Sequence, residues 1–145
     1  MHRLSKSVTA RTRRHRSAGQ SRRGVAAVEF AVCLPVLVLL VFGSIEASSF
    51  IFLKQSLNVA AYEAIRESAR VSSDNVQGTD RAINILQARN VNDFTIGYPN
   101  GDSAAANRGD EIVVEVSAPT ATNSPLAGQF VTNRILTARV VMVKE

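Results

Sequence analysis

From Val25 to Ile45 the chain runs for 21 residues with only two ionisable side chains, Glu29 and the thiol of Cys33. A helix of about 20 residues crosses the hydrocarbon core of a bilayer, so the run predicts one transmembrane helix. Apolar character resumes at Phe50-Ile51-Phe52-Leu53 and stops at Lys54, which gives the span 25–53. Pro35 removes one helical hydrogen bond and is a point at which the rod can bend, and Gly43 weakens it slightly. After Lys54 the pattern becomes amphipathic. Leu57, Ala61, Ala64, Ile65 and Ser68 fall on one face at helical spacing. Glu63 with Arg66, and Glu67 with Arg70, stand three apart on the other. The helix is expected to continue over 54–73 and to break near Ser72-Ser73-Asp74-Asn75.

A second, shorter helix over 79–90 follows Gly78, with Thr79 or Asp80 as its cap and Ala82, Ile83 and Leu86 as its buried side. The period then changes to two. Phe94, Ile96 and Tyr98 alternate with Thr95 and Gly97 in a strand expected over about 91–98. Ile112 to Val116 lie in a second, over 111–118, and Leu136, Ala138, Val140 and Met142 share a face of a third, over 135–144. Polar loops separate them, one from Asn100 to Asp110 and one holding Pro119, Pro125 and Gly128. The expected fold class is α+β: a long N-terminal transmembrane and amphipathic helix, then a small ectodomain over 54–145 with a short helix and a three-stranded antiparallel sheet. So small a domain has a marginal core when it stands alone.

Charge divides the chain differently. Eight basic residues and no acid lie between Arg3 and Arg23. The rest carries nine basic and twelve acidic residues, a net of −3. The pI near 10.1 is therefore a property of the first 24 residues. These are Ser/Arg-rich and too poor in apolar residues to form a core, so nucleic-acid binding is not expected of the folded part. Arginines beside an apolar run stay on the cytoplasmic side of a membrane, and such a flank is where a targeting signal is expected. A conventional signal peptide would be cut after its apolar core at small residues, and Ile45-Glu46-Ala47 offers a bulky residue and an acid there. Hydropathy leaves an uncleaved anchor open.

Glu29 changes the picture. A carboxylate in a membrane helix costs on the order of 2–3 kcal/mol near the bilayer centre and less at its edge, and it calls for a positive partner. A cut after Gly24 would create one, the free amino group of Val25.

A basic leader, then Gly24-Val25-Ala26-Ala27-Val28-Glu29-Phe30-Ala31, then Leu34-Pro35 and Phe42-Gly43, resembles the class III signal of type IV pilins and pseudopilins, and more narrowly the TadE family of the tight-adherence (Flp pilus) machinery. The resemblance continues through Gln55-Ser56-Leu57-Asn58 and Ala60-Ala61 to Arg66-Glu67-Ser68-Ala69-Arg70, where this chain is looser than many relatives. The related TadG proteins usually carry a much larger exported domain. The resemblance implies that a prepilin peptidase cuts between Gly24 and Val25 and removes 1–24 as a leader. It implies that Glu29 serves processing and, by pairing with a neighbour's amino terminus, assembly. Ala26, Ala27, Ala31, Pro35 and Gly43 would then shape a helix that packs against other membrane helices. The implied location is the bacterial inner membrane, single-pass, with the N-terminus cytoplasmic and the domain periplasmic. Implied partners are the peptidase, other pilins or pseudopilins, the Flp assembly components and the lipid bilayer.

Other chemistry finds little support. Both histidines, His2 and His15, precede the apolar run, which leaves no Ser/His/Asp triad, Cys/His dyad or histidine zinc site in the folded part. Cys33 reads as a small apolar residue of a membrane helix; Val32 precedes it where lipid attachment would place a small one. Arg108-Gly109-Asp110 spells an adhesion tripeptide but is also ordinary turn chemistry before a strand. Asp102 and Asp110 lack the ligand-rich spacing of a calcium loop. No enzyme activity, cofactor or metal is expected. The alternative from another class is an unprocessed, membrane-anchored binding or adhesion module.

Overall fold

The computed structural model describes residues 19–125 and 133–145, with side chains from Gly24 onward. Residues 1–18, most of the expected leader, and Gly128 of the last loop lie outside the described residues. Five elements follow in order: α1 (Gly19–Ser68), α2 (Asn75–Ala88), β1 (Thr95–Gly97), β2 (Glu111–Pro119) and β3 (Ile135–Val143). The sheet has the order β1-β2-β3, antiparallel throughout. The chain is α+β, as its pattern of periods predicts. Two compact units divide at Leu39, and α1 contributes to both.

In the first unit, every side chain of α1 from Gly24 to Leu39 is exposed. The helix passes through Pro35 without interruption.

In the second unit, α1 buries a stripe of Leu53, Leu57, Ala60, Ala61, Ala64 and Ile65. Leu57, Ala61, Ala64, Ile65 and Ser68, the face read from spacing, are all fully buried. The stripe joins Ala82 and Leu86 of α2, Val91, Ile112, Val114, Val116 and Ala118 of β2, and Ala138 of β3 in one core. Each of the larger aliphatics contributes about 1.5–3 kcal/mol by burial. Leu136, Val140 and Met142 pack on the core with Ala138, while Ile135, Val141 and Val143 face outward, as a period of two requires.

The larger shifts from the boundaries read in the sequence fall in α1, at the start of α2 and in β1. Helix α1 begins at Gly19, upstream of the expected start at 25. It ends at Ser68 rather than at 73, because residues 69–72 form a turn with Ser72 in the left-handed region at φ 65°. Helix α2 starts at Asn75, not Thr79. Asp74 is its cap and accepts from the backbone N–H of Gln77 at 3.0 Å. Gly78 is a packing residue and not a helix breaker. A Cβ there would stand 2.1 Å from Ser68 Oγ, 2.6 Å from Tyr98 Oη and 2.7 Å from the Ala64 carbonyl oxygen. Strand β1 shrinks to Thr95–Gly97, since Asp93 at φ 53° turns the chain before it and Pro99 follows Tyr98.

Lys144 holds the end of α1. It is buried, and its ammonium donates to the carbonyls of Ser68, Arg70 and Ser73 at 2.9, 3.0 and 3.0 Å. A cation at a helix C-terminus meets the carbonyls that the helix itself cannot satisfy. The backbone N–H of Glu145 also donates to the Ala69 carbonyl at 3.1 Å.

Candidate functional site

Gly24 and Val25 lie within α1, five residues after its start. A Cβ added at Gly24 would meet nothing within 4 Å, so packing does not require glycine there. Its value is conformational. Glycine costs a helix roughly 0.5–1 kcal/mol relative to alanine, which makes this the easiest bond in the stretch to unwind into an extended form. Glu29 is exposed and stands four residues, about one turn, beyond Val25. A helix starting at Val25 would hold that carboxylate within its first turns, where negative charge is favoured.

The small residues do not form one stripe. At 3.6 residues per turn, Ala27, Ala31 and Pro35 follow each other at intervals of four and share a face, with Ala26 to one side. Gly43 lies off that face too, about 120° around the helix from Ala31. Pro35 also leaves the Ala31 carbonyl without its helical donor. Ala27, Ala31 and Pro35 are therefore the shared face of this part of α1. Around it Val25, Val28, Phe30, Val32, Leu37, Leu39 and Leu40 are all exposed by roughly half or more. Among the described residues α1 is the one helix long and apolar enough to cross a membrane. Cys33 is exposed on it as a free thiol.

Three serines at the far end of the run are satisfied within the helix. Ser44, Ser48 and Ser49 donate to the carbonyls of Leu40, Ser44 and Ile45 at 2.7, 2.8 and 2.9 Å. Bonded back in this way, a hydroxyl presents little unmet polarity to an apolar neighbour. Glu46 was legible only as the first charge after the apolar run. It is in fact 2% exposed and occupies the top of the buried face, at helical spacing above Leu53 and Leu57. Its Oε2 accepts from Ser124 Oγ at 2.8 Å, and its Oε1 has no partner among the described residues. That shared spacing was the signal available in the sequence.

The remaining candidate motifs resolve into local structure. Gly109 has φ 97°, and its N–H donates to the Lys144 carbonyl at 3.0 Å. Asp110 Oδ2 accepts from the N–H of Asn107 at 2.8 Å, and Asp102 Oδ1 from that of Ala104 at 3.0 Å. Arg108-Gly109-Asp110 is thus the turn that leads into β2. No group of three or more His, Cys, Asp or Glu that could hold a metal occurs among the described residues.

No curated protein and no solved structure matches the chain. Residues 24–66, the apolar part of α1 and most of its buried continuation, do match the family model described as TadE-like protein, the family that the pattern from about Arg23 to Arg70 resembles.

Proposed function

We propose that the chain is a pseudopilin-like membrane protein that acts in the assembly of a Flp-type (tight-adherence) pilus or a related secretion apparatus. A prepilin peptidase cuts after Gly24 on the cytoplasmic side of the bacterial inner membrane, and the helix from Val25 remains as anchor and assembly element. The domain faces the periplasm. The role is structural, with no enzyme activity or cofactor and no nucleic acid as partner.

The observation that carries this reading is a combination within the TadE-like segment. Gly24-Val25 is followed one turn later by Glu29, the only carboxylate in a helical stretch whose side chains are all exposed and otherwise lack ionisable groups except Cys33. Once Val25 is an amino terminus, Glu29 has a positive group to meet, on its own chain or on a neighbour's. The notch at Ala27-Ala31-Pro35 lets helices approach closely, and in lipid such packing and polar pairing drive association. Other pilins, pseudopilins and Flp components are the partners this surface suits.

Replacing Glu29 by Ala tests the role of the carboxylate. Insertion survives, because removing a charge only eases it. Assembled pili should fall about tenfold, the effect of losing ~1.4 kcal/mol per contact. Piliation at the unmodified level, measured by shearing and quantifying surface pili, would contradict the role. One observation favours the second reading, an unprocessed anchor for a binding or adhesion domain: the Gly24–Val25 bond lies inside α1, where a peptidase would have to unwind it.

A further inference from the structure

Glu46 is a buried carboxylate with one oxygen satisfied by Ser124 and the other by no described residue. It makes no ion pair with any described residue, and the segment 126–132 contains no Lys, Arg or His. A buried acid without a cation is costly, and a compensating charge from outside the chain would remove that cost. The same end of the domain carries a free cation. Ser124 belongs to the loop after β2. In that loop Asn123 N–H donates to the Thr120 carbonyl, and Thr120 N–H donates to the Arg134 carbonyl at 2.8 Å. Arg134 is exposed, and its guanidinium has no hydrogen bond or ion pair with any described residue. The other nearby cations are engaged: Lys54 Nζ donates to the Thr137 carbonyl, and Arg89 to Ser56 Oγ at 3.4 Å. A groove of about 480 Å³ lined by Ser44, Ile45, Ser48, Ser49, Phe52 and Asn123 lies beside the same loop.

We propose that Glu46 is the acceptor for Arg134 of a second copy of this chain standing beside it in the same bilayer. Two copies inserted in parallel hold equivalent groups at equal depth. Glu46 and Arg134 are both tied to the loop at 120–124, so in parallel copies one subunit's acid comes level with the other's guanidinium. The self-satisfied serines and the groove leave room for the neighbour's approach. Ser124 holds the carboxylate until then, and the loop at 120–125 must yield for the arginine to reach Oε1. The pair repeats from subunit to subunit, acid to arginine, so the contact is heterologous and can propagate along a row.

The inference rests on the assembly reading, and its test separates the two. Full-length chains labelled singly with donor or acceptor dye are reconstituted in lipid vesicles, and energy transfer is read against protein density. Wild type, Glu46→Gln, Arg134→Gln and the double variant are compared, with Asp93→Asn as a control for an exposed acid near the same loop. Each single variant should weaken association at least about tenfold, as expected for a close interfacial charge pair. The double variant should be no weaker than either single one, and Asp93→Asn should match wild type. Glu46→Gln keeps a bonding partner for Ser124, and Arg134→Gln alters an exposed side chain, so at least the second folds whatever the first does. Additive losses in the double variant, or unchanged association in Arg134→Gln, would overturn the pair while leaving self-assembly intact. Wild type that stays monomeric at every density would overturn both the pair and the assembly reading.

Discussion

Helix α1 places two opposite kinds of surface on one continuous element. From Gly24 to Ile45 every side chain is exposed and almost every one is apolar. From Glu46 to Ser68 one stripe is buried in the domain core, and the rest of the surface mixes exposed Ile51, Phe52 and Tyr62 with Glu63, Arg66 and Glu67. A helix apolar all round needs an apolar solvent, whereas a helix apolar on one face needs a partner surface. The first stretch is long and apolar enough to cross a membrane, and the second buries its stripe in the domain core. The comparison teaches that the length of an apolar run says where a helix lives, and its periodicity says what the helix touches.

Two substitutions sharpen that contrast most. Leu57→Ala removes a fully buried side chain and should cost the domain about 2–5 kcal/mol, with membrane insertion unaffected. Leu37→Arg, in the exposed apolar run, should do the reverse: insertion weakened by about 2.5–3.5 kcal/mol, with the unfolding midpoint of the domain unchanged. Denaturant unfolding in micelles and a glycosylation-type insertion assay read the two effects separately. If either variant moved both readouts together, the division of labour along α1 would fail.

Lys144 comes next in size. Its ammonium serves three carbonyls at the end of α1, and Lys144→Met leaves them without a donor. The domain should lose about 2–3 kcal/mol, again with no change in insertion. A smaller effect belongs to the cap of α2. Asp74→Ala removes the acceptor for Gln77 N–H and should cost about 1 kcal/mol. The same change at Thr79, inside the helix, should cost less than that; a larger loss at Thr79 would return the helix start to where the sequence suggested.

Periodicity made most of the fold legible. The change from unbroken apolar run to one-sided stripe, and then to alternation, locates the elements, and it names the buried face of α1 residue by residue. It failed where a residue type carries two meanings. Gly78 reads as a boundary, yet glycine is there because Ser68, Tyr98 and the Ala64 carbonyl leave no room for a Cβ. Asp74 and Asp80 are both good caps, and only the course of the chain after Ser72 decides between them. Lys144 gave no local signal at all, since its partners lie 71 to 76 residues away. At the candidate site, Gly24, Val25 and Glu29 stood out because an acid in an apolar run breaks a simple pattern. Glu46 did not, because an acid just past such a run looks like an ordinary edge, and its burial depends on a loop at Ser124.

Processing at Gly24 separates an assembly subunit from a mere anchor. The most direct measurement is the amino-terminal sequence of the protein isolated from membranes of cells with an active prepilin peptidase. The account predicts a chain that begins at Val25, and a longer precursor that accumulates in Gly24→Leu. A mature chain that still carries the basic leader through Arg23 would contradict it.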